Sequence, residues 1–266
     1  MKPLYLLGAA LVAGAAFVGW RAATTPASPD LPATVRIPAG PYVYRAAGEF
    51  RVQGKSVDPP LERRMADAPL IIMKYPVGLA EYAACVAGGA CLPTVADGTQ
   101  NLPQTQVSWH DATAYARWFS RQTGMRWRLP TDAEWQRAAA ERFVDDAVGM
   151  GASVDPAARW LAEYGRSVAT RGQPDLGLRE RGSFGENSYG VADMSGNVWE
   201  WTDGCVTNAK LDADGAVLET SHFCGARIAE GRHRAVVIDF VRDARSGGCA
   251  AGLPPDHLGF RLVRDR

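Results

Sequence analysis

Residues 187–201 read NSYGVADMSGNVWEW, a run that suits neither a helix nor a strand. Gly190 and Gly196 give the backbone a freedom that other residues lack. Asp193 and Glu200 bring hard oxygen ligands, and Trp199 and Trp201 bring large apolar anchors. Such a loop is held by packing together with a metal ion or a dense hydrogen-bond net. The fold must therefore be built around an irregular segment pinned by aromatic side chains. Composition agrees, because Gly (28), Pro (17) and Trp (8) are frequent. That usage suits a loop-rich body, not a helical bundle.

The 266 residues, less a leading segment, fit one large domain. A hydrophobic content of 47% allows a full core. Basic and acidic residues balance at 29 each, which argues against nucleic acid as a partner. At the start, Lys2 precedes an uncharged apolar run over residues 3–20, and Arg21 follows. Residues 1–23 thus read as a signal anchor or a cleaved signal peptide. Cleavage after Ala23 would set Arg21 where a small residue is wanted, so the anchor is preferred. Either reading exports the domain. Residues 24–34 form a flexible, Pro-rich tether, and residues 35–266 the domain itself.

Five cysteines fit an oxidising compartment. Cys85 and Cys91 flank CVAGGAC, a loop that Gly and Ala allow to close, so a disulfide is expected. Cys205 and Cys224 flank a polar insertion and are the second expected pair. Cys249 is then odd, either a buried thiol or a weak candidate for a reactive or metal-binding one.

Alternation and a turn at Pro38-Ala39-Gly40 predict a strand or hairpin arm over Val35–Tyr44. Leu70–Tyr75 reads as a strand. A helix is expected over Leu79–Ala87, with Leu79, Tyr82, Ala83 and Val86 on one face. Ser108–Gly124 is the clearest helix, with Ser108 as N-cap, Asp111 in the first turn and Gly124 as terminator. Thr131 and Glu134 form a capping box for another, with Trp135, Ala138 and Ala139 buried. Phe143–Glu186 shows no period. Asp212–Gly215 reads as a hairpin turn, and Ala235–Val241 and Gly259–Val263 as strands. Strands at both ends with helices between suggest termini meeting in one sheet, in an α+β class.

Three segments carry a family resemblance. VSWHDATAYARWFSRQTGMRWRLPTDAEWQRAAA resembles the helix pair of the formylglycine-generating enzyme (sulfatase-modifying factor) family. NSYGVADMSGNVWEW resembles its signature loop, and GFRLVR its closing strand. The likeness runs from about Val35 to Arg264 and implies a loop-rich C-type-lectin-like fold. It also implies a structural Ca²⁺ held by the Asp193 and Glu200 side chains and the Gly196 and Val198 carbonyls. Oxygen donors of this kind suit Ca²⁺. The alternative is that both carboxylates only accept hydrogen bonds within a tight loop.

Enzymes of that family use a close pair of cysteines to bind copper, and Cu(I) wants soft thiolates. The pair precedes an Arg-rich segment, matched here by VRDAR (241–245), but residues 231–240 (GRHRAVVIDF) contain no Cys. Copper is therefore not expected. His222, Cys224 and His233 offer a weak alternative N/S site. His110 reads as a surface or packing residue, and His257 as exposed. Asp239, Arg242, Asp243 and Arg245 read as an ion-pair network or as a polar binding groove.

The expectation is an exported accessory, binding or maturation factor for a periplasmic protein or peptide, anchored in the inner membrane by residues 3–20. The alternative is a metal-dependent oxidase of a peptidyl residue or small molecule, using Cys249. A glycan-binding domain is a weaker third reading. No nucleic-acid partner is expected.

Overall fold

Both ends of the domain meet in one antiparallel sheet. In the computed structural model, which describes residues 30–151, 155–171, 177–246, 255 and 257–265, strand β1 (Thr34–Ile37) pairs with β6 (Leu70–Met73). The closing strand β12 (Val263–Arg264) lies on the other side of β6 and pairs onward with β7 (Trp127–Arg128). β6 is nearly buried throughout, which explains its uninterrupted apolar sequence LIIM. The expected meeting of the termini is thus realised, with β6 between them.

The arm expected over Val35–Tyr44 is two strands in two sheets. The chain bends at Pro38-Ala39, and β2 (Gly40–Arg45) leaves β1 to pair with β5 (Leu61–Ala66). The short strands β3 (Phe50–Val52) and β4 (Lys55–Val57), with β5, lack a sequence signal because each is half exposed or edge-placed.

The third sheet runs β10 (Ala235–Ile238), β9 (Val217–Glu230), β8 (Trp199–Leu211), β3 and β4. Its spine is a long hairpin of β8 (Trp199–Leu211) and β9 (Val217–Glu230). The expected turn forms at its tip, where Asp212 Oδ1 accepts from the backbone N–H groups of Asp214 and Ala216. β10 (Ala235–Ile238) is shorter than the strand expected over Ala235–Val241. The expected final strand is interrupted: β11 (Leu258–Gly259) pairs in parallel with β8, and the chain crosses over Phe260–Leu262 to reach β12.

Helices α1 (Leu79–Ala87), α2 (Trp109–Thr123) and α3 (Asp132–Ala139) stand where the sequence places them. Ser108 and Thr131 accept from the backbone N–H groups of Asp111 and Glu134, closing both expected boxes. Gly124 ends α2 in the left-handed region at φ 68°. The buried face of α1 is Tyr82 and Cys85, while Ala83 is exposed. The bond from Cys85 to Cys91 turns that face inward. A fourth helix, α4 (Pro156–Arg171), lies within the stretch expected to be irregular. Its apolar residues do not face the body, so no core position marks it.

An aromatic network packs α1 and α2 against the interrupted closing strand. Tyr115 stacks on Tyr82 and Phe119 and meets Phe260 edge-on, with ring centroids 5.3–5.9 Å apart. Trp135 of α3 anchors a neighbouring cluster with Ile37, Ile72, Met194 and Val263.

Candidate functional site

The segment 187–201 is held from outside itself. Asp193, Ser195 and Asn197 all adopt positive φ, near 60°. That conformation is uncommon for residues with a Cβ, and each is held by its own side chain. Asp193 accepts from the backbone N–H groups of Gly182 (2.5 Å) and Phe184 (2.9 Å). Ser195 Oγ donates to the Arg142 carbonyl. The Asn197 amide bridges the backbone of Arg179 in both senses. Between them, Gly196 lies flat against the Phe184 ring, where a Cβ would sit 2.8 Å from ring carbons. Asn187 ties the start of the loop to the end of α3 through the Ala138 and Ala139 carbonyls.

Where the loop enters β8, Trp199 donates its indole N–H to the His233 carbonyl, and Trp201 to the Val107 carbonyl, both at 2.8 Å. The two tryptophans are anchors, as their sequence context implies. Glu200 between them points the other way. It is 1% exposed and meets Arg261, which is fully buried. Arg261 Nε and Nη2 each reach a Glu200 oxygen at 2.6 Å. The Trp135 indole adds a third donor at 2.8 Å. The remaining Arg261 N–H groups go to the carbonyls of Met73, Lys74 and Ala192. Every face of the guanidinium is thus used.

In this arrangement a calcium ion shared by Asp193, Gly196, Val198 and Glu200 would share or displace hydrogen-bond donors already in place. The Glu200 oxygens accept from Arg261 and the Trp135 indole, and each Asp193 oxygen accepts from one backbone N–H group. The Gly196 carbonyl accepts from the N–H of Val198 at 2.7 Å. The hydrogen-bond net of the second reading is thus present in the loop.

Directly opposite Glu200 across the β8–β9 ladder stands a second buried glutamate, Glu230. Its cation is the buried Arg234, whose Nε lies 3.5 Å from Glu230 Oε1, farther than the 2.6 Å contacts of Arg261 with Glu200. Burial first, and then the charge of Asp132 beside it, push the Glu230 carboxyl well above the usual range, against the pull of Arg234. Asp132 is 5% exposed, and its Oδ1 has no other donor among the described residues. A protonated Glu230 would offer that oxygen a donor. Gln136 Nε2 lies 3.2 Å from Glu230 and 3.3 Å from Asp132, and Tyr44 donates to Asp132 at 3.1 Å. Burial and the same aspartate drive the Tyr44 phenol far up. None of these residues stands out in the sequence. Asp132 reads as a first-turn helix acid, and the only signal for Glu230 is a carboxylate ending an apolar strand, RIAE.

The cysteines pair as expected, Cys85 with Cys91 and Cys205 with Cys224. The suggested His222–Cys224–His233 site is therefore corrected: Cys224 is not a thiol, His222 is exposed on the hairpin, and His233 is buried against the Trp199 ring. Cys249 lies outside the described residues. His110 is largely exposed and 3.3 Å from Asp239. His257 is half-buried, and its carbonyl accepts from the Trp199 N–H, so it is not the exposed residue expected.

The charge cluster near the C-terminus resolves into ion pairs. Arg242 grips both oxygens of Asp111 at 2.9 Å and also reaches the Pro93 carbonyl. Arg245 pairs with Asp243 at 3.0 Å. The Arg242 contacts clamp the N-terminus of α2. A separate cavity of about 490 Å³ opens between α1, α2 and the start of β1. Met73, Tyr115 and Phe119 line it, with an Arg181–Glu81 pair at 2.8 Å in its wall. Its apolar lining suits a peptide side chain.

A family model described as the sulfatase-modifying factor enzyme 1-like domain matches residues 21–266. The formylglycine-generating enzyme of Mycobacterium tuberculosis is 32% identical over 189 residues, covering 61% of this chain and 57% of that protein. That of Streptomyces coelicolor is 36% identical over 108 residues, or 39% and 32% of the two chains. A mouse protein named inactive C-alpha-formylglycine-generating enzyme 2 is 31% identical over 164 residues, or 61% and 49%. The matched part thus spans between about a third and just over half of these relatives. Among solved structures, PvdO from Pseudomonas aeruginosa shares the fold, with TM-score 0.56 and 21% identity over 88% of this chain and 95% of that one.

Proposed function

This chain belongs to the sulfatase-modifying factor enzyme 1-like family, and from that premise we propose that it is an exported, membrane-tethered accessory or maturation factor that binds a periplasmic protein or peptide. It does so without the copper chemistry of the enzymes it resembles. One observation carries this reading. The chain has five cysteines and two disulfides take four of them, which leaves one thiol. A copper site built on two thiolates needs one more than the oxidised protein has. Likeness to a relative named as inactive supports the same side. Two disulfides and the apolar run over residues 3–20 support export and tethering.

Binding then falls to the rigid scaffold and the cavity beside α1 and α2, whose apolar floor and charged wall suit an apolar side chain next to a polar backbone. The full chain, denatured without reductant, should titrate one thiol. Incubated with copper, oxygen and a sulfatase-type cysteine peptide, it should leave the peptide unchanged. Conversion of that cysteine to an aldehyde would overturn the proposal.

A further inference from the structure

Helix α4 is fastened to the body by its charged side and turns its apolar side to solvent. Arg159 is buried and donates to Asp58 at 2.6 Å and to the Met150 carbonyl at 2.9 Å. Arg166, two turns on, donates to the Asp145 carbonyl at 2.8 Å. Ala157, Trp160, Leu161, Tyr164 and Val168 fall on the opposite side of the helix. The last four are 62, 61, 47 and 42% exposed. Trp160 and Tyr164 stack with centroids 5.7 Å apart. The acidic residue of the helix, Glu163, is drawn to Arg159 at 2.8 Å, away from this stripe. A surface helix of a globular body ordinarily does the reverse, burying the apolar stripe and wetting the charges.

The area offered helps to decide what covers it. Four partly exposed side chains present on the order of 400 Å², about half of what one partner gives to a specific protein interface. That is small for capturing a soluble partner but ample for a surface already close by. Residues 21–29 separate the apolar N-terminal run from the first described residue and reach at most about 30 Å. A body on so short a tether meets the bilayer at high effective concentration.

We propose that α4 lies in the interface of the lipid bilayer, with Trp160, Leu161, Tyr164 and Val168 seated at the boundary of headgroups and acyl chains. Trp and Tyr favour that depth, and the helix carries no carboxylate on the inserted side. No described helix is long and apolar enough to cross a membrane, so α4 lies on the surface. The inference rests on the tethered reading above. It adds that the body has a set orientation, with the α4 side against lipid.

The test uses the full chain in vesicles of phosphatidylethanolamine and phosphatidylglycerol with brominated acyl chains. Wild type is compared with Trp160→Phe and with Leu161→Glu/Val168→Glu, whose exposed sites leave the fold and its circular dichroism intact. All three should float with the vesicles. Bromine should quench wild-type emission more than that of Trp160→Phe, by the contribution of one tryptophan among eight. The double variant should fall to the Trp160→Phe level. Flotation with equal quenching in all three overturns the inference and leaves the tether standing. Failure to float sinks the tether and the inference together. Cross-linking of α4 to α4, abolished in the double variant, assigns the stripe to a second copy and also overturns it.

Discussion

Arg261 meets Glu200 through two hydrogen bonds of 2.6 Å in the interior, joining the closing segment to the start of β8. Both residues are shielded from water, so each depends on the other for its charge. Replacing Arg261 with Met strands the carboxylate and removes the donors to Met73, Lys74 and Ala192. The expected cost is about 3–5 kcal/mol, measured by urea denaturation. A cost under about 1 kcal/mol would show that Glu200 finds another cation.

Chelation separates this ion pair from a metal-closed loop. With both carboxylates already engaged, excess EGTA should leave the melting temperature unchanged, and added Ca²⁺ should not raise it. A calcium-dependent rise would mean that Glu200 and Asp193 exchange their present partners for the ion.

Glu230 gives stability a pH dependence of defined sign. Its folded affinity for a proton is raised, by burial first and by Asp132 next, with Asp146 adding to the effect and Arg234 opposing it. The stabilising contribution of the proton is complete below the ordinary glutamate range and is lost as pH rises through the raised folded value. Glu230→Gln keeps a neutral donor to Asp132. It should therefore gain on wild type in melting temperature as pH rises from the ordinary glutamate range into the alkaline range, with the gap closing toward acid. Thermal melts across that range check the slope, and a gap that widens toward acid would refute the assignment.

The Cys205–Cys224 bridge crosses the long hairpin midway between its base and its tip. Replacing both cysteines with Ser should cost about 2–4 kcal/mol. Cleavage should begin within residues 206–223, because β9 is exposed from Val217 to Gly225. Limited proteolysis with mass spectrometry locates the first cuts.

Gly196→Ala brings a methyl group against the Phe184 ring in a loop that already holds three residues at positive φ. The expected loss is about 1–3 kcal/mol. Gly196→Ala combined with Phe184→Leu should recover part of it, whereas strain confined to the backbone would not respond.

Local rules made much of this fold legible. The capping residues Ser108 and Thr131 and the left-handed Gly124 mark their helices because each solves a problem within a few residues. Asp212 and Gly215 mark the hairpin tip for the same reason. α4 was hidden because its apolar residues face solvent and its contacts run through Arg159 and Arg166. The Asp132–Glu230 pair was hidden for another reason: its members lie on separate elements and meet only by packing. Glu200 was picked out by its place in the loop. Its partner Arg261 lay in a segment recognised for its strand pattern, which does not show that the strand breaks to turn one arginine inward.

The position of β12 beyond β6 bears on how the molecule is made. β6 has one neighbour near the beginning of the domain and another in the last residues of the chain. Residues 261–264 must be made before that strand is flanked on both sides and Glu200 receives its counter-charge. A chain cut before Arg261 would lose both β12 and the cation of Glu200, and with them the closure of this sheet.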